Sequence, residues 1–416
     1  MVEAETQCTL IRVASMGSES AGHRKYALTG LSICWSCYRR SQTFRCFGFY
    51  CVIWILFQAA NSFGDGLDLW YKRPSGTTGF LGGICFGNGK FVGVRSSTSL
   101  SATNGVFFTS TNGSDWTQIG GSTGGYLAVS YGNGRFVAIG NQHMAISNDS
   151  SNWTDYSISP YGGIYWAITY AGGRFVAVGS AIYTSVGGTN WAYFRPSTNT
   201  LYSVAYGSGL FVAVGDAGTI LSSTNGTNWS SVISGSTHQI SSISYGNGGF
   251  VAFGASGVLT SIDGISWSTQ SLLVANPALI NAVQFGNRNF IAVEGHGAII
   301  SSIDGSAWKT RRLADNQLLA AVAYGNGSFV AVGNSGEILQ SGPVFSLSLQ
   351  RQPGDGSLEI ALTGEIGRSY RIQVSTNLID NIWADFATLT NTAETVLLDA
   401  GTTPSIPERY YRASSP

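Results

Sequence analysis

Few residues in this sequence combine the types and spacing that chemistry needs. Glu294 and His296 stand two positions apart in VEGHG, a carboxylate and an imidazole able to hold or pass a proton. Asp216, Asp315 and Glu337 are further carboxylates in short polar segments, and His143 and His238 are further imidazoles, with Gln142 and Asn334 close by in sequence. Two carboxylates about 5–10 Å apart would equip glycoside hydrolysis, and Asp216, Glu294 and Asp315 are the candidates for such a pair. The same groups on a surface would instead orient a polar ligand. Asp216 and Asn334 also suit the capping of glycine-containing turns. Serines abound, but no strand-turn-helix elbow presents one as a nucleophile. Cys34 and Cys37 form a CxxC pair with neither a second pair nor a histidine cluster to complete a zinc site. No metal and no cofactor is therefore expected.

The elements that must position these residues follow from internal repetition. FGNGKFVGV at Phe86 returns as YGNGRFVAIG at Tyr131, YAGGRFVAVG at Tyr170, YGSGLFVAVG at Tyr206, YGNGGFVAFG at Tyr245, FGNRNFIAVEG at Phe285 and YGNGSFVAVG at Tyr324. Its anchors Phe91, Phe136, Phe175, Phe211, Phe250, Phe290 and Phe329 are spaced 45, 39, 36, 39, 40 and 39 residues apart, the period of a four-stranded propeller blade. Asn-Gly between β-rich runs is the chemistry of a tight hairpin. The runs are apolar at successive positions, as blades stacked on both faces require. Arg135 and Arg174, in equivalent hairpins, are expected to face solvent.

A second motif ends on tryptophan: STNGSDW at Trp116, SNDSSNW at Trp153, SVGGTNW at Trp191, STNGTNW at Trp229, SIDGISW at Trp267 and SIDGSAW at Trp308. Asp149, Asp263 and Asp304 carry its carboxylate, replaced by Asn112, Asn225 and Gly187 in the other copies. Residues 63–342 resemble the Asp-box, or BNR, repeat family, which implies an all-β fold, a seven-bladed β-propeller with each motif on the turn before the outer strand. The seventh repeat lacks a tryptophan, and Trp70 precedes the first anchor. Residues 67–73 are therefore expected to close the ring as the outer strand of the last blade. In such a ring Glu294, His296, Asp216, His143 and Asp315 share the face made by the second hairpins and the blade-to-blade loops.

Two flanking regions complete the chain. Residues 1–62 read as an export signal region: Arg39, Arg40 and Arg45 precede the apolar core at 46–57, and Ala60 and Ser62 suit a cleavage site. A retained membrane anchor is the other reading of that core. Residues 343–416 hold six strand-like segments, predicting a small β-sandwich. The run GRSYRIQVSTNL with the closing Arg409-Tyr410-Tyr411-Arg412 resembles fibronectin-III-like modules of secreted bacterial proteins.

The formal net charge is zero, and from residue 63 onward 16 basic residues face 19 acidic ones, so no phosphate-neutralising stripe and no nucleic-acid partner is expected. Five of the six cysteines precede residue 61, which leaves Cys85 without a disulfide partner. Sialidases need an arginine triad, and the propeller segment has only 11 Lys and Arg. The resemblance extends to the photosystem II assembly propeller family, whose members are non-enzymatic. The reading that follows is a monomeric, secreted, periplasmic or cell-surface binding or scaffold propeller of bacterial type, without catalysis and without a stable membrane span after signal cleavage. Its partner would be a protein or an extracellular glycan. A carbohydrate-active protein, lectin or glycoside hydrolase, with its site on the loop face, is the alternative.

Overall fold

The computed structural model of the chain describes residues 9–14 and 66–414, apart from 96–104, 123, 158–162, 274, 352–357, 365–366, 368, 377–381, 393–394 and 400–407. Two compact units form, Asp65–Phe345 and a second that combines Met1–Gly64 with Ser346–Pro416. The apolar core at 46–57 lies outside the described residues. No described helix is long and apolar enough to cross a membrane.

The larger unit is a seven-bladed β-propeller of four-stranded antiparallel sheets. The innermost strands are Leu81–Gly87, Tyr126–Gly132, Tyr165–Ala171, Leu201–Gly207, Ile240–Gly246, Ile280–Gly286 and Leu319–Gly325. Each packs against the innermost strand of the next blade, and the seventh packs against the first. The anchor phenylalanines are essentially excluded from solvent, and the small residues two positions later, such as Ala138 and Ala213, are buried where the blades converge.

A hairpin joins the first and second strand of every blade, and its chemistry is the one the repeats predict. Asn88 and Gly89 have φ of 48° and 72°, and Asn326 and Gly327 have 48° and 74°, the doubly left-handed pair of a tight hairpin. The glycine just before this pair does something else. A Cβ on Gly132 would lie 1.9 Å from the Tyr170 ring, and one on Gly325 would lie 2.1 Å from the Phe86 ring. These glycines let an aromatic of the next blade close over the strand end.

The hairpins also bind blades together. Asn133 Nδ2 donates to Val186 O at 3.5 Å, Asn247 Nδ2 to Ile303 O at 2.6 Å and Asn326 Nδ2 to Thr111 O at 3.1 Å. Each acceptor lies in the tryptophan-bearing turn of the following blade. Arg135 corrects the expectation of solvent contact, because its Nη1 donates to Gly187 O at 2.9 Å and its Nε is buried. Its guanidinium ties the second blade to the third.

The last blade takes its outer strand from the other end of the unit. Trp70–Lys72 pairs antiparallel with Ile338–Ser341, with Trp70 opposite Ser341 and Lys72 opposite Leu339. Leu67 is fully buried in the core of the last two blades, and Asp68 bonds Arg311 and Lys309 on the outer strand of the sixth. A free sheet edge is thereby covered.

The smaller unit holds two antiparallel sheets. One runs Ser346–Arg351, Leu358–Thr363, Thr395–Asp399, and the other runs Thr9–Ala14, Glu408–Ser414, Ser369–Ser375, Ala384–Thr390. Six of these strands match the six segments read from the sequence; the pairing of Thr9–Ala14 with Glu408–Ser414 has no counterpart in that reading. Tyr370, Ile372 and Tyr411 are buried here.

Candidate functional site

Antiparallel order places the connections of each blade at two ends. One end carries the Asn-Gly hairpins and the tryptophan turns. The other carries the links from second to third strand and from one blade to the next. We call these the turn end and the loop end.

At the turn end each tryptophan closes a small hydrogen-bonded unit. Ser261 Oγ donates to Asp263 Oδ1 at 2.9 Å and accepts from Gly264 N at 2.8 Å. Asp263 Oδ1 then accepts from Ile265 N at 2.8 Å and Ser266 N at 2.7 Å, and Trp267 Nε1 donates to Gly264 O at 3.2 Å. Asp149 with Trp153 and Asp304 with Trp308 repeat the pattern, and Trp116, Trp191 and Trp229 make the same indole bond without an aspartate. Backbone N–H groups hold Asp149, Asp263 and Asp304 well below the ordinary carboxylate range. Trp70 completes the series, its Nε1 donating to Leu67 O at 2.8 Å. All of this is bracing, and none of it presents a free group.

The loop end holds the residues singled out for chemistry, but it does not gather them. His143 opens the third strand of the second blade and Asp216 turns the fourth. Glu294, His296 and Asp315 come together on the sixth. Glu294 ends the second strand there and is 7% exposed. Most other blades have glycine at this position, where a Cβ would sit 1.9 Å from Gly125 O in the second blade and 1.8 Å from Leu318 O in the seventh. The loop facing Glu294 contains the Pro277–Leu279 turn, and Gly295 N still reaches Leu279 O at 2.9 Å. His296 is exposed, and its carbonyl accepts from Asp315 N at 3.0 Å and Asn316 N at 2.9 Å. Asp315 is paired with Arg312. Burial pushes the Asp315 carboxyl up, but Arg312 and the Gln317 N–H draw it down further, below its usual range. Glu337 is buried and ion-paired with Lys72 of the closing strand.

The innermost strands reveal what the repeats conceal. Every one carries a single-residue bulge near its start, between Leu81 and Gly83, Tyr126 and Ala128, Tyr165 and Ala167, Leu201 and Ser203, Ile240 and Ser242, Ile280 and Ala282, and Leu319 and Ala321. A bulge re-aims its side chain, and the bulged residues form a circlet around the ring axis at the loop end. Ser241 Oγ donates to Ile280 O at 2.7 Å and Asn281 Nδ2 donates to Leu319 O at 2.7 Å, each reaching the next innermost strand. In the third and fourth blades the bulged residues are Trp166 and Tyr202. Their ring centroids lie 5.9 Å apart with planes inclined at 54°. Trp166 is 40% exposed and Ile164 beside it 39%. Burial, and then the nearby Asp216 carboxylate, raise the Tyr202 phenol above its ordinary range.

Sequence reasoning found Asp216 and missed Tyr202 and Trp166. The signal was present, since the corresponding positions elsewhere are Gly82, Leu127, Ser241, Asn281 and Ala320. Only knowledge of the bulge shows that this column faces the axis. Among the described residues no group of three His, Cys, Asp or Glu is placed to hold a metal ion.

No protein-family model and no curated protein matches the sequence. Solved structures do match in fold. YCF48 from Cyanidioschyzon merolae is 18% identical, covering 66% of this chain and 98% of that one with a TM-score of 0.52, and a YCF48 structure bound to D1 peptide gives 15%, 65%, 96% and 0.53. A catalytically inactive virginiamycin B lyase from Staphylococcus aureus, with quinupristin, is 10% identical over 66% of this chain and 99% of its own, with a TM-score of 0.58. PorZ, a bacterial surface component of the type-IX secretion system of Porphyromonas gingivalis, is 13% identical over 79% of this chain and 56% of its own, with a TM-score of 0.51. At such identities the likeness is one of fold: this chain is built as those β-propellers are.

Proposed function

We propose that this chain is an exported, non-catalytic binding propeller that engages a protein partner through its loop end. One observation carries the reading. Asp315 and Glu337 are ion-paired and Glu294 is buried, while Trp166 of the aromatic pair at the axis is left open. Asp315 is clamped by Arg312 and Glu337 by Lys72. A general acid needs a carboxyl held above its ordinary range, and Asp315 is held below it. Asp216 stands on a different blade from Glu294 and Asp315, and Glu294, on the same blade as Asp315, is buried. The tryptophan turns, of Asp-box type, serve the ring alone. The YCF48 propeller bound to D1 peptide and the surface component PorZ support a binding or scaffold role for a ring of this kind. Export to the periplasm, cell surface or medium follows from the arginines and apolar core near the start, and the fibronectin-III-like unit would serve attachment.

The test is a peptide and glycan array probed with the full chain, alongside a polysaccharide hydrolysis screen. The reading expects saturable binding to peptides, competed by changes at the loop end, and no turnover. Hydrolysis that Glu294→Gln abolishes would overturn it in favour of a glycoside hydrolase.

A further inference from the structure

We infer that Trp166, Tyr202 and Asp216 form a binding site for an organic cation, the ammonium or guanidinium head of a lysine or arginine side chain in a bound peptide. This deepens the binding reading above and rests on it.

Three features converge. First, two aromatic rings meet at the ring axis, inclined at 54° with centroids 5.9 Å apart. Inclined rings offer no flat platform of the kind a pyranose stacks on. Each ring has a π-face that attracts positive charge, and a cation within about 6 Å of the exposed Trp166 face is stabilised. Second, a carboxylate adjoins the cleft. Burial, and then the Asp216 carboxylate, raise the Tyr202 phenol, which sets the carboxylate close to that ring. Asn199 Nδ2 bonds both Asp216 O at 3.4 Å and Thr219 Oγ1 at 2.7 Å, which fixes the turn itself. Third, that carboxylate makes no salt bridge among the described residues, unlike Asp68, Asp315 and Glu337, which all have cationic partners. An uncompensated carboxylate beside exposed aromatic faces selects for positive charge and against neutral or anionic ligands.

The turn that carries Asp216 is one the ring uses again in the seventh blade, where Ser335 has φ 52° and Gly336 72°. Ala217, next to Asp216, is held at φ 51° and Gly218 at 71°. A Cβ on Gly218 would lie 1.9 Å from Ser236 O, so the loop leading to the next blade locks this turn. Asp216 therefore meets a ligand from a fixed position, which lowers the ordering cost of binding.

The chemistry is shared by free quaternary amines and by peptide side chains, and the assay separates them. Tryptophan fluorescence of the full chain is titrated with choline and with its neutral isostere 3,3-dimethyl-1-butanol. A five-residue glycine peptide with central lysine is compared with one carrying norleucine. The inference expects saturable change with choline and the lysine peptide, none with either neutral analogue, and tighter binding of the peptide if the source is a protein. Trp166→Ala and Asp216→Asn should each weaken binding at least tenfold while the melting temperature stays within about 2 °C. Equal response to choline and its isostere, no saturable response to any cation, or unchanged affinity in both variants would overturn it. So would saturable binding of methyl glycosides at this site, unaffected by Asp216→Asn. Array peptides that still bind both variants through the loop end would leave the binding reading standing and remove the cation site.

Discussion

The two ends of the propeller obey different rules. At the turn end the blades repeat one solution: a hairpin that in several blades reaches into the next, a turn ordered in most copies by serine with aspartate or asparagine, and a tryptophan capping it. At the loop end the side chains at the bulge differ from blade to blade. The bulged column runs glycine, leucine, tryptophan, tyrosine, serine, asparagine and alanine around the axis, and the glycine that ends most second strands becomes Glu294 in the sixth blade. Repetition marks where geometry dictates the residue, because every blade must meet its neighbour in the same way. Variation marks where geometry has stopped dictating, and there a residue is free to serve a ligand.

Breaking the turn end should therefore cost stability, and the most damaging break is at the seam. Removing the chain through Lys72 strips the last blade of its outer strand and takes away Leu67, which is completely buried. Leu67→Ala alone should cost about 2–5 kcal/mol as a large-to-small core change. The truncation should exceed it and lower the melting temperature by more than about 10 °C in calorimetry. An unchanged melt would mean that the ring does not depend on its seam.

Next in size is a single cap. Trp153 stacks on Phe107 with centroids 3.6 Å apart and planes 1° from parallel, and its indole bonds Ser150 O at 3.0 Å. Trp153→Ala should cost about 3 kcal/mol in denaturant unfolding. Acid provides a gentler probe. Asp149, Asp263 and Asp304 have folded-state values depressed below the unfolded value near 3.9, so their contribution is complete above about pH 5 and fades as pH falls through the folded-state range. Asn225 accepts the same backbone bonds without a charge, from Thr227 N at 3.0 Å and Asn228 N at 2.9 Å. Changing all three aspartates to asparagine should leave stability at pH 7 nearly unchanged and flatten its decline below about pH 4. A mutant that falls as steeply as the parent would show that other carboxylates govern acid unfolding.

Legibility in the sequence follows the same division. Blade number, strand order and hairpin type could be read because the residues that set them recur at Phe91, Phe136 and their successors, and the missing seventh tryptophan pointed to Trp70. The inter-blade reach of Asn133, Asn247 and Arg135 was not legible, since a turn-forming residue and a bridging residue are the same letter. The loop end was harder still. Glu294 and His296 drew attention by breaking the repeat, yet Glu294 is buried and His296 contributes its carbonyl to a turn. Trp166 and Tyr202 went unremarked because aromatic residues are common in strands, and only a backbone bulge turns that column toward the axis.

The smallest expected effect is the sharpest test of the division, because it uses the same substitution at the other end. Trp166→Ala removes an indole as Trp153→Ala does, but from a position 40% exposed, where it contacts Tyr202 at 5.9 Å and makes no indole hydrogen bond among those that brace the turns. Surface changes away from caps and cores usually stay within about 0.5 kcal/mol. Trp166→Ala should fall in that range, with melting temperature and denaturant slope unchanged. A loss above about 2 kcal/mol would place Trp166 among the ring's structural parts and remove the distinction between the two ends. A neutral result leaves a large aromatic residue at the axis of the ring that folding does not require, and the binding titrations then decide whether it serves a ligand.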